Sequence, residues 1–295
     1  MFANDLLVAT AIIGAMALLA FVAGRQVRAN RQWLFISTIV LAVAYSNCLR
    51  GNLGWANLVP HSAAVLLSNL TPILVALIAG FSCHGMVLSK RLKPVLVPTL
   101  SLLTVVCLLT PLVGSVFAPP MVSDTDERSG WVVLQSHRST CAPASAANLL
   151  HLNGIQSSEK QMAHLCLCSD RGTEALGLYR GLKLGAASQG KDVCVASQNP
   201  YRWSAQGQLP NVALVQFSSD EFSRGVDAPE QTPLADRWTA PKWFFGSPGV
   251  EDGHAVVVVD HVDGNWTIAD PAIGLTTWTD QEFRARFTGD AVYIR

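Results

Sequence analysis

The chain has 295 residues, of which 50% are hydrophobic and 14% are charged, and its mean hydropathy is +0.31. Because soluble domains carry roughly 25% charged residues, this composition excludes an ordinary soluble protein of the same length. The formal net charge is zero, and residues 123–295 hold fourteen basic and twenty acidic residues without a basic cluster, which excludes nucleic acid as a partner.

Four apolar stretches without charged residues follow one another in residues 1–122. They comprise residues 6–24, 33–49, 63–81 and 95–117. A helix needs roughly 17 to 25 residues to cross ~30 Å of hydrocarbon, so the sequence predicts a region of four transmembrane helices. A cleaved signal peptide is the alternative for the first stretch, but no basic residue precedes it and three similar stretches follow.

The charged residues of this region predict its orientation. Seven are basic and only Asp5 is acidic. Six of the basic residues lie in the first and third loops, namely Arg25, Arg28, Arg31, Lys90, Arg91 and Lys93. Because basic loops stay in the cytoplasm, the chain should leave the fourth helix on the opposite side. We expect a multi-pass protein of the inner membrane, with residues 123–295 on the periplasmic or extracytoplasmic side.

Helix signals come first in the C-terminal part. Residues 142–152 predict a helix with Pro143 in its first turn. Ser158 has the position of a cap for a second helix, and Thr173 that of a cap for a third, which ends near Gly185.

Strand signals follow these helices. Short apolar runs predict strands at residues 193–195, 212–217, 255–259, 266–269, 275–278 and 291–294. The pair Asp263-Gly264 favours a tight hairpin between two of them, and Thr279 caps a short helix before the last. Helices followed by an antiparallel sheet indicate an α+β domain.

Four residues of this part have the types and the order that nucleophilic catalysis by a thiol requires: Gln135, Cys141, His254 and Asp270. A cysteine attacks as thiolate, so it needs an imidazole as base, a group that orients the imidazole, and a donor for the oxyanion. Cys141 starts a predicted helix, where the dipole and free N–H groups lower a thiol pKa. Each residue alone has a structural interpretation, as a core cysteine, a strand-end histidine or a turn aspartate; their joint order favours catalysis.

These residues and the sequence around them resemble the peptidase C39 family, a papain-like group best known as the leader-cleaving domain of bacteriocin-exporting ABC transporters. The resemblance rests on Gln135, Cys-Ala-Pro-Ala at 141–144, Arg-Gly-Thr-Glu-Ala-Leu-Gly-Leu at 171–178, His-Ala-Val-Val-Val-Val at 254–259 and Ala-Asp-Pro-Ala at 269–272. It covers residues 130–295. Two features depart from the family: Ala142 stands where glycine usually follows the cysteine, and the stretch before His254 is longer.

The resemblance implies a papain-like fold in which Cys141 is the nucleophile, His254 the base, Asp270 the orienting group and Gln135 the oxyanion donor. It also implies cleavage after two small residues, usually glycines, and a separate transporter or other membrane protein as a partner. We therefore expect residues 123–295 to hydrolyse a peptide or protein substrate through a thioester, without a cofactor or metal. Residues 1–122 would anchor this domain in the lipid bilayer.

Two other classes of function use the same features. An acyl-transfer or amide-processing enzyme would form the same thioester and pass the acyl group to another acceptor. A non-catalytic peptide-binding membrane module would not need the four site residues. The chain has no phosphate-binding loop of the Gly-x-x-x-x-Gly-Lys-Ser/Thr type, so it is not itself an ABC transporter.

Two further features stay open. One is a group of residues of the types that bind zinc, namely His164, Cys166, Cys168 and Cys194, although their spacing is not that of a closed four-ligand site. In an oxidising compartment, a disulfide could instead join Cys166 or Cys168 to Cys194. Residues 218–252 are polar and rich in proline, and they contain Trp238, Trp243, Phe244 and Phe245. This segment is compatible with a lid, a substrate-binding loop, a surface insertion or a contact with the bilayer interface.

Overall fold

A computed structural model describes residues 4–27, 32–83, 92–217 and 253–295. The segment 218–252 with its four aromatic residues lies outside the described residues, and so do the basic loop residues Arg28, Arg31, Lys90 and Arg91. The chain divides into two compact units. In the described residues, the first comprises 4–27, 32–52, 63–83 and 92–113, and the second comprises 53–62, 114–217 and 253–295.

The first unit is helical, and the second combines helices with a sheet. The helices are α1 (Asn4–Gln26), α2 (Gln32–Cys48), α3 (Trp55–Leu58), α4 (Ala64–Leu67), α5 (Thr71–Ser82), α6 (Lys93–Phe117), α7 (Cys141–Leu152), α8 (Glu159–Leu165), α9 (Ala175–Ala187) and α10 (Asp280–Arg286). The strands are β1 (Arg128–Ser129), β2 (Val132–Val133), β3 (Val193–Val195), β4 (Asn211–Gln216), β5 (Gly253–Val262), β6 (Asn265–Asp270), β7 (Gly274–Thr279) and β8 (Phe287–Ile294).

Three helical stretches in the described residues are long and apolar enough to cross a membrane: Asn4–Gln26, Ala64–Ser82 and Lys93–Phe117. The remaining predicted span is a shorter apolar helix, Trp33–Cys48, so the structure has three candidate spans where the sequence predicts four. The stretch Ala64–Ser82 is also interrupted between α4 and α5. Pro72 lies in the first turn of α5, and it lacks the N–H that would continue the helical hydrogen bonding from α4.

The second unit places helices α7, α8 and α9 before an antiparallel sheet. The strand order of this sheet is β3, β8, β4, β5, β6, β7. Helix α7 packs against β5 and β4, and strands β1 and β2 form a small hairpin shortly before α7. The short helix α3 also belongs to this unit, where it packs against α9 and β3. The observed fold is therefore a mixture of helices and antiparallel sheet, in the predicted order.

One predicted turn and one predicted helix cap of this unit are confirmed. Asp263 and Gly264 have φ angles of 49° and 77°, the left-handed conformation that a two-residue hairpin turn requires. At the start of α10, the Glu282 N–H donates to Thr279 Oγ1 at 3.3 Å and the Thr279 N–H donates to Glu282 Oε2 at 2.7 Å, which completes a capping box.

Of the two helix caps predicted at Ser158 and Thr173, the structure confirms only the first. The Ser158 hydroxyl accepts the Gln161 N–H at 3.1 Å and caps α8, as the sequence predicts. The prediction for Thr173 is wrong, because α9 has Glu174 at its N-cap position. The Thr173 methyl group instead lies against Gly177 in the first turn of that helix.

A cluster of aromatic side chains packs against the sheet and extends toward the candidate site. Trp203, Trp266 and Phe283 are fully buried, and the Trp266 and Phe283 rings stack with centroids 4.4 Å apart. Trp278 extends the cluster to Phe217, whose ring centroid lies 5.9 Å from that of His254. Phe217 therefore links this cluster to the His254 ring.

Candidate active site

One face of α7 carries the nucleophile candidate and two side chains that join the helix to its neighbours. Cys141, Ser145 and Asn148 are spaced at i, i+4 and i+7, so they lie on the same side of the helix. The Ser145 hydroxyl donates to the Ala255 carbonyl oxygen at 2.7 Å, which joins α7 to β5. Asn148 Oδ1 accepts the Val133 N–H at 2.7 Å, and its Nδ2 donates to the Val133 carbonyl at 2.9 Å. The helix is therefore fixed both to the strand of His254 and to the segment that precedes Gln135.

His254 and Asp270 form a buried pair at the ends of adjacent strands. His254 Nε2 lies 2.7 Å from Asp270 Oδ1, and the two residues are 3% and 2% exposed. Asp270 Oδ1 also accepts the Ala272 N–H at 2.8 Å, which fixes the carboxylate. Because a carboxylate only accepts hydrogen bonds, Nε2 carries a proton, and Nδ1 is a buried nitrogen without a hydrogen-bond partner in the described residues. Cys141 lies close enough to this ring for each of the two residues to shift the pKa of the other.

The surroundings of Cys141 and His254 favour a negative charge on the thiol and a positive charge on the imidazole. Burial by itself raises the pKa of the Cys141 thiol, but the interaction with the neighbouring His254 ring, with smaller contributions from the N–H groups of Ala255 and Ala142, brings that pKa below its ordinary value. Burial lowers the pKa of His254, whereas the Asp270 carboxylate and Cys141 raise it to about 10. Both shifts favour the thiolate and the imidazolium, the reactive form of a cysteine nucleophile.

Gln135 reaches the site through the turn that leads into Cys141. Its N–H donates to the carbonyl oxygen of Pro271, the residue after Asp270, at 2.7 Å. Its side-chain Nε2 donates to the His137 carbonyl at 3.3 Å. The same carbonyl accepts the Thr140 N–H at 3.0 Å and the Thr140 hydroxyl at 2.6 Å. An amide nitrogen has two hydrogens, so Nε2 keeps one for a substrate oxygen.

The structure thus brings the four predicted residues close together through two sets of contacts. His254 and Asp270 are joined by a hydrogen bond, and Cys141 lies beside the His254 ring. Gln135 is tied by its backbone to the residue after Asp270, and by its side chain to the turn before Cys141. Such an arrangement can generate a thiolate, exchange protons with it, and stabilise negative charge on a bound carbonyl.

Three polar residues that hold this site were not predicted from the sequence. Ser145 and Asn148 could have been identified from the sequence, because they are the polar positions at helical spacing from Cys141 in a helix of mostly small apolar residues. Glu159 could not: it is 1% exposed, and its Oε1 accepts the Ser136 N–H at 2.9 Å.

The other thiols near the site differ from Cys141. Cys166, Cys168 and Cys194 are all free, so the predicted alternative of a disulfide with Cys194 does not hold. Cys166 packs against Gly181 of α9, and the Cys168 thiol donates to the Ser139 carbonyl at 3.4 Å. Burial raises the pKa of both thiols, that of Cys168 to about 11. Neither is suited to act as a nucleophile at neutral pH.

Comparison with known proteins gives matches only among solved structures. No family model matches the sequence, and no curated protein does. The chain is similar to the peptidase domain of Streptococcus ComA, a bi-functional ABC transporter involved in quorum sensing, at 18% identity and a TM-score of 0.39, over 55% of this chain and 95% of that one. It is similar to a double glycine motif protease from an AMS/PCAT transporter, in complex with its leader peptide, at 19% identity and a TM-score of 0.39, over 59% and 95% of the two chains.

A third match is a Bacillus anthracis protein described as a C39-like peptidase, at 14% identity and a TM-score of 0.38, over 60% of this chain and 94% of that one. The solved structures that the chain resembles are C39 peptidase domains.

Proposed function

We propose that the chain is a membrane-anchored cysteine peptidase in which Cys141 attacks a peptide carbonyl. The observation that carries this proposal is the buried His254–Asp270 pair, with Cys141 beside it at the first residue of α7. A structural role for these residues would not require a thiol with a lowered pKa at the first residue of a helix. The position of Gln135 beside the same turn adds a donor for the oxyanion.

The proposed reaction has two stages that use the same groups. The Cys141 thiolate adds to the carbonyl carbon, and the resulting oxyanion accepts hydrogen bonds from Gln135 Nε2 and from N–H groups of the first turn of α7. The His254 imidazolium then gives its Nδ1 proton to the leaving amine as the C–N bond breaks, which leaves a thioester on Cys141. Neutral His254 next takes a proton from water, the hydroxide adds to the thioester, and the thiolate leaves as the carboxylic acid forms.

The substrate that we propose is a peptide or protein with two small residues before the scissile bond. This follows from the resemblance around Cys141 and His254. A separate membrane protein such as a transporter would supply or receive the peptide.

Two observations support the membrane side that we propose for the site. Basic residues of the first and third loops favour a cytoplasmic position for those loops. With the shorter apolar helix Trp33–Cys48 also crossing the bilayer, residues 53–62 and the end of α6 take an outer position. Residues 53–62 also belong to the same compact unit as the candidate site, with Leu53 fully buried. This second loop and the peptidase unit would therefore lie on the same side of the bilayer, which supports the periplasmic or extracytoplasmic assignment.

A matched pair of peptides tests the proposal. The full chain in detergent micelles should cleave a peptide with Gly-Gly before one bond faster than the same peptide with Leu-Leu there, and Cys141→Ala should abolish cleavage. Mass spectrometry of the products separates hydrolysis from acyl transfer, because a hydrolysed fragment gains one water whereas a transferred fragment gains the acceptor. No cleavage of any peptide by a protein whose thiol is intact would overturn the proposal.

A further inference from the structure

Glu159 is a buried carboxylate that the proposed mechanism does not use. It is the first residue of α8 and is 1% exposed. Burying a charged carboxylate is costly unless its oxygens accept strong hydrogen bonds, so such a residue has a specific partner. Here the partner is the backbone N–H of Ser136, which lies 2.9 Å from Glu159 Oε1.

Ser136 directly follows Gln135, so this contact acts on the segment that carries the oxyanion donor. The Gln135 N–H is held at 2.7 Å by the Pro271 carbonyl. Two successive N–H groups, those of Gln135 and Ser136, therefore donate to acceptors on two different elements, one at the end of β6 and the other on α8. With both bonds present, the Gln135 side chain projects from a backbone that cannot rotate freely.

The position of Glu159 is itself fixed. Its own N–H donates to Asp126 Oδ1 at 3.1 Å, and the neighbouring Lys160 forms an ion pair with Asp124. The Ser136 hydroxyl accepts the Ser123 N–H at 3.1 Å. The segment that follows α6 thus contacts both Glu159 and Ser136, and it closes a small network around the turn.

From this geometry we infer that Glu159 is a positioning residue for the oxyanion donor: its carboxylate holds the Ser136 N–H and thereby fixes Gln135. This inference rests on the proposed peptidase function. Glu159 does not touch the substrate, so its removal should weaken stabilisation of the transition state without changing thiolate formation at Cys141.

Two variants of equal length separate the hydrogen bond from simple packing. Glu159→Gln keeps a carbonyl oxygen that can accept the Ser136 N–H, whereas Glu159→Met fills the same space without an acceptor. Each is made in the full chain, with the exposed Glu127→Met as a control. The measurements are kcat and KM for the Gly-Gly peptide, and the rate at which iodoacetamide alkylates Cys141, a reaction that needs no oxyanion donor.

We expect Glu159→Met to lower kcat by roughly 10- to 100-fold, somewhat less than direct loss of an oxyanion donor. KM and the alkylation rate should stay within about twofold of the unmodified chain, and Glu159→Gln should retain most activity. In a Gln135→Ala background, Glu159→Met should cause little further loss, because the two residues act through one group. If Glu159→Met does not fold, Glu159→Asp withdraws the carboxylate by one methylene and should lower kcat in the same way.

Three results for kcat would overturn the inference while leaving the peptidase proposal intact. These are unchanged kcat in Glu159→Met, equal losses in the Gln and Met variants, or a full additional loss in the Gln135→Ala background. A parallel fall in the alkylation rate would likewise show that Glu159 supports the whole site rather than the donor. By contrast, absence of cleavage by the unmodified chain would overturn the proposed function, and this inference with it.

Discussion

Replacing Asp270 with asparagine should move the alkaline limit of activity toward neutral pH. Asp270 Oδ1 lies 2.7 Å from His254 Nε2 in a buried pair, and its charge helps to raise the pKa of His254 to about 10. Asparagine keeps an oxygen that can accept the same N–H, so the ring should remain oriented. Only the charge of the acceptor is lost.

The size of this effect follows from the strength of the two kinds of hydrogen bond. Hydrogen bonds to charged groups contribute roughly 1.5 to 3 kcal/mol to stability, and hydrogen bonds between neutral groups contribute roughly 0.5 to 1.5 kcal/mol. The substitution should therefore reduce the stabilisation of the imidazolium by about 1 to 1.5 kcal/mol. One pH unit corresponds to about 1.4 kcal/mol, so the pKa of His254 should fall to about 9. The imidazolium is the acid that protonates the leaving amine, so activity is present below this pKa and is lost as pH rises through it.

The assay is the pH dependence of kcat/KM for peptide cleavage between about pH 6 and 11, the range that spans the ordinary and the raised pKa of histidine. Asp280→Asn is the matched control, because Asp280 Oδ1 forms a second His–Asp pair with His261 at 3.0 Å, outside the candidate site. The descending limb should shift in the Asp270 variant and stay in place in the control. An unchanged limb in Asp270→Asn would refute the view that this carboxylate sets the charge of His254.

Three other predictions test separate parts of the account. Gln135→Ala should lower kcat by roughly 10² to 10³ with an unchanged unfolding temperature, and a smaller loss would remove Gln135 from the oxyanion site. Iodoacetamide at pH 6.5 should alkylate Cys141 much faster than Cys168, because the pKa of the first thiol is lowered and that of the second is raised to about 11. Peptide mass spectrometry measures the labelling, and equal, slow labelling of both thiols would contradict an activated Cys141. An alkaline phosphatase reporter should be active when fused after Val122 and inactive after Arg91, and the reverse pattern would place the site in the cytoplasm.

Local patterns predicted the secondary structure of the second unit well, because their signals lie within a few residues. The pair Asp263-Gly264 meets the backbone demand of a hairpin turn by itself, and Thr279 with Glu282 forms both bonds of its capping box within one helical turn. Three of the four candidate site residues were visible for a similar reason, since Cys141, His254 and Asp270 each stand at the boundary of a predicted element.

Contacts between distant segments could not be predicted in this way. Glu159 follows a capping serine and has the sequence context of an exposed first turn, yet tertiary packing buries it and pairs it with Ser136, a residue 23 positions earlier. The interruption before Pro72 was missed because the hydropathy of a whole stretch does not register a single lost N–H. The packing of residues 53–62 within the second unit has no local signal at all.

The most direct test of the central claim is the capture of the acyl group on Cys141. The full chain is mixed with an excess of the Gly-Gly peptide, quenched with acid within the first turnover, and digested for mass spectrometry. The account predicts that the peptide containing Cys141 gains the N-terminal half of the substrate as a thioester that hydroxylamine removes, and that His254→Ala greatly reduces this adduct. Cleavage of the peptide by the chain without an adduct, and unaffected by Cys141→Ala, would contradict it.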